Sequence, residues 1–105
     1  MFAVTIDSLP GYDVKEVVGE VVGTTARKQN VFMEGIRELS GARGRQMSQV
    51  LKKCREDAIA RMVEDAYRRG ANAVVGVRFD HRAIGTEWTE LCAYGTAVFI
   101  VPTRS

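Results

Sequence analysis

The segment Gln46–Arg69, QMSQVLKKCREDAIARMVEDAYRR, and the segment Gly70–Phe79 that follows it, GANAVVGVRF, decide the fold. Apolar residues recur in the first segment at three- and four-residue spacing, which is typical of one face of an α-helix. These residues are Met47, Val50, Leu51, Cys54, Ala58, Met62 and Ala66. Gly70 suits the left-handed residue that ends a helix. The stretch predicts a long helix over Gln46–Arg69 that turns directly into a buried strand beginning at Ala73.

Upstream of this helix, the valine-rich segment Tyr12–Val22 predicts a strand, because β-branched residues favour extended structure. Gly19 within it predicts a bulge or a bend. Phe2–Ile6 predicts a short first strand, and Leu9-Pro10-Gly11 predicts a turn.

Two further elements complete the predicted order. Asn30 is a suitable N-cap for a short helix over Val31–Leu39, followed by a loop from Ser40 to Gly44. Downstream, Ile84-Gly85-Thr86 predicts a connection to the last strand, Trp88–Val101. The sequence therefore predicts one domain over residues 1–105, of strand, strand, short helix, long helix, strand and strand.

Composition narrows the class of protein. Of the 105 residues, 46% are hydrophobic and 27% are charged, which is typical of a folded domain and excludes a disordered chain. A formal net charge of +2 gives no indication of a nucleic-acid or membrane partner. The start of the chain lacks the pattern of a signal peptide, so we expect a cytoplasmic protein.

The predicted fold is α+β: a small, mostly antiparallel sheet covered by one long and one short helix. Successive strand residues point to opposite faces, yet both Val98 and its neighbour Phe99 are apolar. A single helical layer buries only one face of a sheet. The second apolar face predicts a homo-oligomer. In the alternative interpretation, the N-terminal segment and the short helix cover that face.

Three segments resemble the YbjQ-like family: Cys54–Met62, Gly70–Phe79 and Ala93–Val98. The strings Gly-Ala-Asn-Ala-Val-Val-Gly and Ala-Tyr-Gly-Thr-Ala-Val are specific at their mutual spacing, and a looser similarity extends upstream through Val17–Gly23 and Asn30–Gly41. The resemblance implies a dodecin-like subunit, a ring-shaped homopentamer and the label "putative heavy-metal-binding". This chain differs from the family pattern between Asn30 and Gly35, where it is a few residues short.

A transition-metal site is the first candidate for chemistry, because thiolate and imidazole ligands bind soft metals. The candidate ligands are Cys54, His81 and Cys92, none of them closely spaced. Cys54 lies on the apolar helix face and Cys92 within a strand, so both are also interpreted as small core residues. His81 shares strand parity with Val75, Val77 and Phe79, which predicts that it faces the core or an interface. The site would form where subunits meet.

An anion site is the second candidate. The glycines of the loop Gly41–Arg45 let the backbone approach a ligand, and the N-terminus of the long helix follows. Arg43 and Arg45 offer paired donors to a phosphate or carboxylate, with Arg37 as a helper. The alternative is a solvated basic turn.

The sequence gives less support to two other classes of function. The Gly41–Gly44 loop between two helices resembles the backbone clamp of an RNA-binding KH domain, but the following helix is too long and the charge too balanced. One histidine and two isolated cysteines give no nucleophile–base pair, so an enzyme is not predicted. A purely structural assembly is the remaining alternative.

Overall fold

A computed structural model describes residues 1–28, 44–84 and 88–104. The described residues form one helix, α1, and one four-stranded sheet, in the order β1-β3-β4-β2. Their bounds are β1 Phe2–Ala3, β2 Tyr12–Lys28, α1 Gly44–Arg68, β3 Ala73–Ile84 and β4 Trp88–Pro102. The α+β class is confirmed, and β4 pairs antiparallel with both β2 and β3. The predicted short helix, Val31–Leu39, lies outside the described residues.

The long helix is confirmed, and its end follows from local chemistry. Gly70 has φ +87°. Its N–H donates to Tyr67 O at 3.0 Å, and Ala71 N–H donates to Ala66 O at 3.0 Å. These two bonds form a Schellman motif, in which a left-handed glycine lets the last carbonyls find donors. Both Ala66 and Ala71 are buried in the same cluster, so the turn also joins the core.

The N-terminal half of the sheet differs from its prediction in length. β2 extends to Lys28 instead of ending at Val22, because Gly23–Lys28 pairs with β4 although its residues are mostly polar. The bulge at Gly19 is confirmed by a register shift and by φ +136°. β1 is only two residues long and runs parallel to β3, with Phe2 opposite Ala73. The turn before β2 is confirmed, since Tyr12 N–H donates to Leu9 O at 3.0 Å.

A second bulge, at Gly76, exchanges the two faces of β3. Gly76 has φ +63°, and the register with β4 shifts between Val75 and Arg78. Val74 and Val77 therefore pack in the cluster beneath α1, whereas Val75 packs in a cluster on the other side of the sheet. The prediction that His81 shares a face with Val75 was wrong, because the extra residue breaks the two-residue alternation.

The sheet thus has an inner face under α1 and an outer face on its other side. The inner core includes Val21, Ala58, Met62 and Ala97, all fully buried. On the outer face a smaller cluster forms around Val98, and the N-terminal segment covers it with two side chains, Val4 and Leu9. Farther along, the outer face bears exposed apolar side chains: Val14, Val17, Val22, Ile84 and Trp88.

Candidate functional site

Cys54 belongs to the core. It is fully buried on the inner side of α1, and its backbone carbonyl accepts a hydrogen bond from Thr25 Oγ1 at 3.4 Å. Thr25 is itself 2% exposed, so this bond ties the helix to β2 at a point closed to solvent. The structure therefore supports the interpretation of Cys54 as a small hydrophobic residue, and does not bring it to the outer face where Cys92 lies.

Cys92 lies on the outer face, in the middle of the sheet. Its direct cross-strand neighbours are Asp80 on β3 and Thr24 on β2. The side chain is half-buried, and the thiol makes a long contact, at 4.0 Å, with the carbonyl oxygen of Ala93. Because directly opposed residues share a face, the sheet itself places a carboxylate and a hydroxyl beside this thiol.

A groove of about 690 Å³ opens around this position, and we call it the Cys92 groove. Its lining residues are Val22, Thr24, Asp80, His81, Arg82, Glu90 and Cys92. Two of the three predicted metal ligands, His81 and Cys92, are among these lining residues, and Cys54 is not. The His81 side chain belongs to the other face of the sheet, because His81 lies opposite Leu91 whereas its neighbour Asp80 lies opposite Cys92. His81 is exposed in the single chain, so it is not a core residue there. The alternative that His81 faces a subunit interface stays a prediction.

The groove holds more negative than positive charge around the thiol. Burial raises the pKa of Cys92 most, and the carboxylates of Glu90 and Asp80 raise it further, while the Arg82 guanidinium opposes them. Arg82 Nε lies 3.3 Å from Glu90 Oε1, so its charge is partly engaged. The thiol consequently stays protonated at neutral pH, which makes it a poor nucleophile and a metal ligand only when a metal displaces its proton.

The donors of a single chain do not complete a metal centre within the described ranges. No group of three or more His, Cys, Asp and Glu side chains in residues 1–28, 44–84 and 88–104 is placed to hold a metal ion. A structural zinc site ordinarily has about four ligands in tetrahedral geometry. The groove offers suitable types of donor atom, but the described residues of one subunit do not supply enough of them at one point to bind a metal ion.

The predicted anion site falls mostly outside the described residues. Arg37, Arg43 and the loop before Gly44 are not among them, and Arg45 is the second residue of α1. The RNA-clamp hypothesis concerns the same loop. The described residues therefore test neither the anion-site hypothesis nor the RNA-clamp hypothesis, and both stay predictions.

Sequence reasoning missed the charged lining of the groove. Asp80, Arg82 and Glu90 are ordinary strand residues, and only the register of β3 against β4 brings them around Cys92. The available signal was the alternation in Asp80-His81-Arg82 and in Glu90-Leu91-Cys92. Once the pairing of the two strands is known, this alternation places Asp80, Arg82, Glu90 and Cys92 on one face of the sheet. A separate finding concerns membranes: α1, the helix of the described residues, lacks the apolar length that a membrane-spanning helix needs.

Comparison with known proteins gives a consistent result. Residues 1–101 match the YbjQ family model, described as "Putative heavy-metal-binding". A UPF0145 protein of Acidothermus cellulolyticus is 45% identical over 100 residues, covering 92% of this chain and 93% of the relative. A UPF0145 protein of Streptomyces coelicolor is 43% identical over 103 residues, covering 95% and 97%.

A solved structure shares the fold. It is a protein of unknown function from Pediococcus pentosaceus, of the DUF74 family, and it superposes with a TM-score of 0.59 at 15% identity. The alignment covers 96% of this chain and 98% of that one. At this identity the likeness concerns the fold alone.

Proposed function

This chain belongs to the YbjQ family, and from that premise we propose that it is a non-enzymatic, cytoplasmic homo-oligomer, with five dodecin-like subunits in a ring favoured, that holds a soft metal ion where subunits meet. The observation that carries the proposal is the apolar part of the outer face that residues 1–28, 44–84 and 88–104 leave exposed. Val17 is 65% exposed, and Val22 and Trp88 are each 41% exposed. Apolar side chains gathered on one sheet face mark an interaction surface.

A second copy of the chain is the occupant that these residues favour. The N-terminal segment covers only one end of the outer face, through Val4 and Leu9. The remainder runs along three strands and carries apolar residues at its edges with charged residues of both signs between them. In a ring of five each contact is head-to-tail, so the outer face of one copy would pack against a different surface of the next copy.

The Cys92 groove lies on this same face, which supports a metal ion held between subunits. One subunit supplies the Cys92 thiol with the Asp80 carboxylate directly opposite it, and an adjoining subunit would supply the ligands that the single chain lacks. The carboxylate of Asp80 favours a cation over an anion here, because the charge of Arg82 is balanced by its ion pair with Glu90. We therefore propose the metal ion, and not a small anion, as the ligand of this groove.

Native mass spectrometry of the purified protein tests the assembly. We expect a species at a multiple of the 11.6 kDa subunit, with the pentamer predominant. A monomer at micromolar concentration would contradict the assembly. Titration of the apoprotein with zinc or cadmium tests the metal separately: we expect stoichiometric binding by the oligomer, and an oligomer that binds neither ion would refute the metal site alone.

A further inference from the structure

β2 is an edge strand, and it is long. Among the described strands it has one neighbour, β4, and it extends over 17 residues from Tyr12 to Lys28. The free side of such a strand presents backbone N–H and C=O groups to which another strand can add without limit. A chain that also carries an apolar sheet face needs some means of keeping its assembly closed.

Arg61 of α1 and Arg69, the residue directly after α1, reach over to this side of β2. Arg69 Nη1 donates to the backbone carbonyl of Glu20 at 2.9 Å, and Arg61 Nη1 donates to the backbone carbonyl of Thr24. Glu20 and Thr24 are four residues apart, so their carbonyls point to the same side of the strand. Both carbonyls are acceptors that an added strand would use.

The distance between the two arginines along the helix matches the distance between the two carbonyls along the strand. Arg61 and Arg69 are eight residues apart, which is about 12 Å along a helix. Glu20 and Thr24 are four residues apart, which is about 13–14 Å along an antiparallel strand. The Arg69 side chain is further fixed by Asp65, whose Oδ1 lies 3.6 Å from Nε. The spacing of the two arginines along the helix axis therefore matches the spacing of the Glu20 and Thr24 carbonyls along β2, so both guanidinium groups can donate at once.

The other half of the same edge is irregular. Register shifts interrupt the pairing of β2 between Val14 and Glu16 and between Val17 and Gly19. Bulges of this kind twist an edge away from a regular partner. The arginines lie where the bulges end and the pairing with β4 becomes regular, from Gly19 onward.

We propose that Arg61 and Arg69 are edge guards, which occupy the carbonyls of Thr24 and Glu20 and so prevent a strand of another copy from adding to the regular half of β2. This goes beyond the proposed function, because it concerns how growth is stopped and not which face assembles. It holds for whatever oligomer the wild-type protein forms.

The test compares two double variants of the whole chain. R61A/R69A removes both guards. K53A/R68A is the matched control, because it removes two cations from the same helix, and their ion pairs with Asp57 and Glu64 lie within the helix. Both variants lose the same charge, so a difference between them does not come from general charge loss. Sedimentation velocity and thioflavin T fluorescence follow the size and β-character of the assemblies.

We expect R61A/R69A to lose the wild-type sedimentation peak to larger, thioflavin-positive species, and the control to keep it. R61K/R69K restores a positive donor on a flexible stem, and we expect it to recover part of the wild-type peak. Equal sedimentation profiles for R61A/R69A and the control would overturn the proposal. If R61A/R69A does not fold, R69Q compared with R68Q decides in the same assay, since Arg69 lies on the surface and its loss leaves the core intact.

Discussion

The side-chain amide of Asn72 is hydrogen-bonded to the backbone of Ile100 at both of its ends. Nδ2 donates to Ile100 O at 2.8 Å, and Oδ1 accepts from Ile100 N–H at 2.7 Å. The Asn72 backbone N–H also donates to Val98 O at 3.1 Å. The side chain therefore takes the place of a peptide group in the ladder with β4, at the point where the turn after α1 becomes β3.

Replacing Asn72 by alanine removes both bonds to Ile100. Ile100 is 5% exposed, so its N–H and C=O would lose their partners where little water reaches them. We expect a loss of about 1–3 kcal/mol in the free energy of unfolding, measured by urea denaturation at fixed protein concentration. Asn72→Asp keeps the shape and one acceptor but opposes a carboxylate to the Ile100 carbonyl, so it should be no more stable than the alanine variant. A change below about 0.5 kcal/mol for alanine would show that the pair is incidental.

This pair also shows what the sequence can and cannot predict. The end of α1 at Gly70 was predictable because every group in the turn lies within a few residues of it. Asn72 was visible as part of a specific string, but its partner is 28 residues away and depends on the register of the sheet. The role of Asn72 follows from tertiary pairing, which no local pattern records.

The faces of the sheet were predictable only until the backbone departed from regular alternation. Gly76 inserts one residue into β3, and every residue after it changes face relative to Val75. The predicted grouping of His81 with Val75 failed for that reason, whereas the alternation of His81 with Val77 and Phe79 is kept. In the candidate site, Cys92 was identified as a potential ligand, but its neighbour Asp80 was not, because a cross-strand pair depends on register and not on spacing along the chain.

A charge introduced on the outer face should dissociate the proposed oligomer. Val22 is 41% exposed there and lines the Cys92 groove, so Val22→Lys would place an ammonium group in an interface that excludes water. Tyr67→Lys is the control, since Tyr67 is 74% exposed on α1 and not on the outer face. Native mass spectrometry should find smaller species for Val22→Lys alone. Dissociation by Tyr67→Lys instead would assign the interface to the helical side.

Metal binding in the Cys92 groove should strengthen with pH. Burial, Glu90 and Asp80 raise the pKa of the thiol, so a metal ion must displace a proton to bind the sulfur. Since protons compete less as the pH rises, apparent cadmium affinity should be higher at about pH 8.5 than at about pH 6.5. The cadmium–thiolate absorption band measures this directly.

Two serine variants assign the sulfur that contributes to that band. Cys92→Ser should abolish the cadmium–thiolate absorption, and Cys54→Ser should retain it because Cys54 is fully buried under α1. Absorption that persists in Cys92→Ser, or an affinity that does not vary with pH, would exclude Cys92 as the ligand.

At Gly23 the backbone of α1 lies so close to the sheet that no side chain fits between them. A Cβ added there would lie 3.0 Å from the carbonyl carbon of Arg61, and nearer still to the Ala58 carbonyl oxygen and the Met62 amide nitrogen. These are backbone atoms of the helix, so no side chain can move aside, and α1 would have to lift from β2. We expect Gly23→Ala to lower the free energy of unfolding by about 3 kcal/mol or more, measured by urea denaturation.

Gly11→Ala separates this steric effect from the effect of adding a methyl group as such. Gly11 has φ +86°, and an added Cβ there meets no atom within 4 Å, so its replacement is strained only in the backbone, by about 1–2 kcal/mol. Gly23 therefore should be the more sensitive position, although no positive φ constrains it. If Gly23→Ala were no more destabilising than Gly11→Ala, α1 would not pack in backbone contact with β2 at Gly23. The hydrogen bond from Arg61 to the Thr24 carbonyl, which depends on that close packing, would then be contradicted as well.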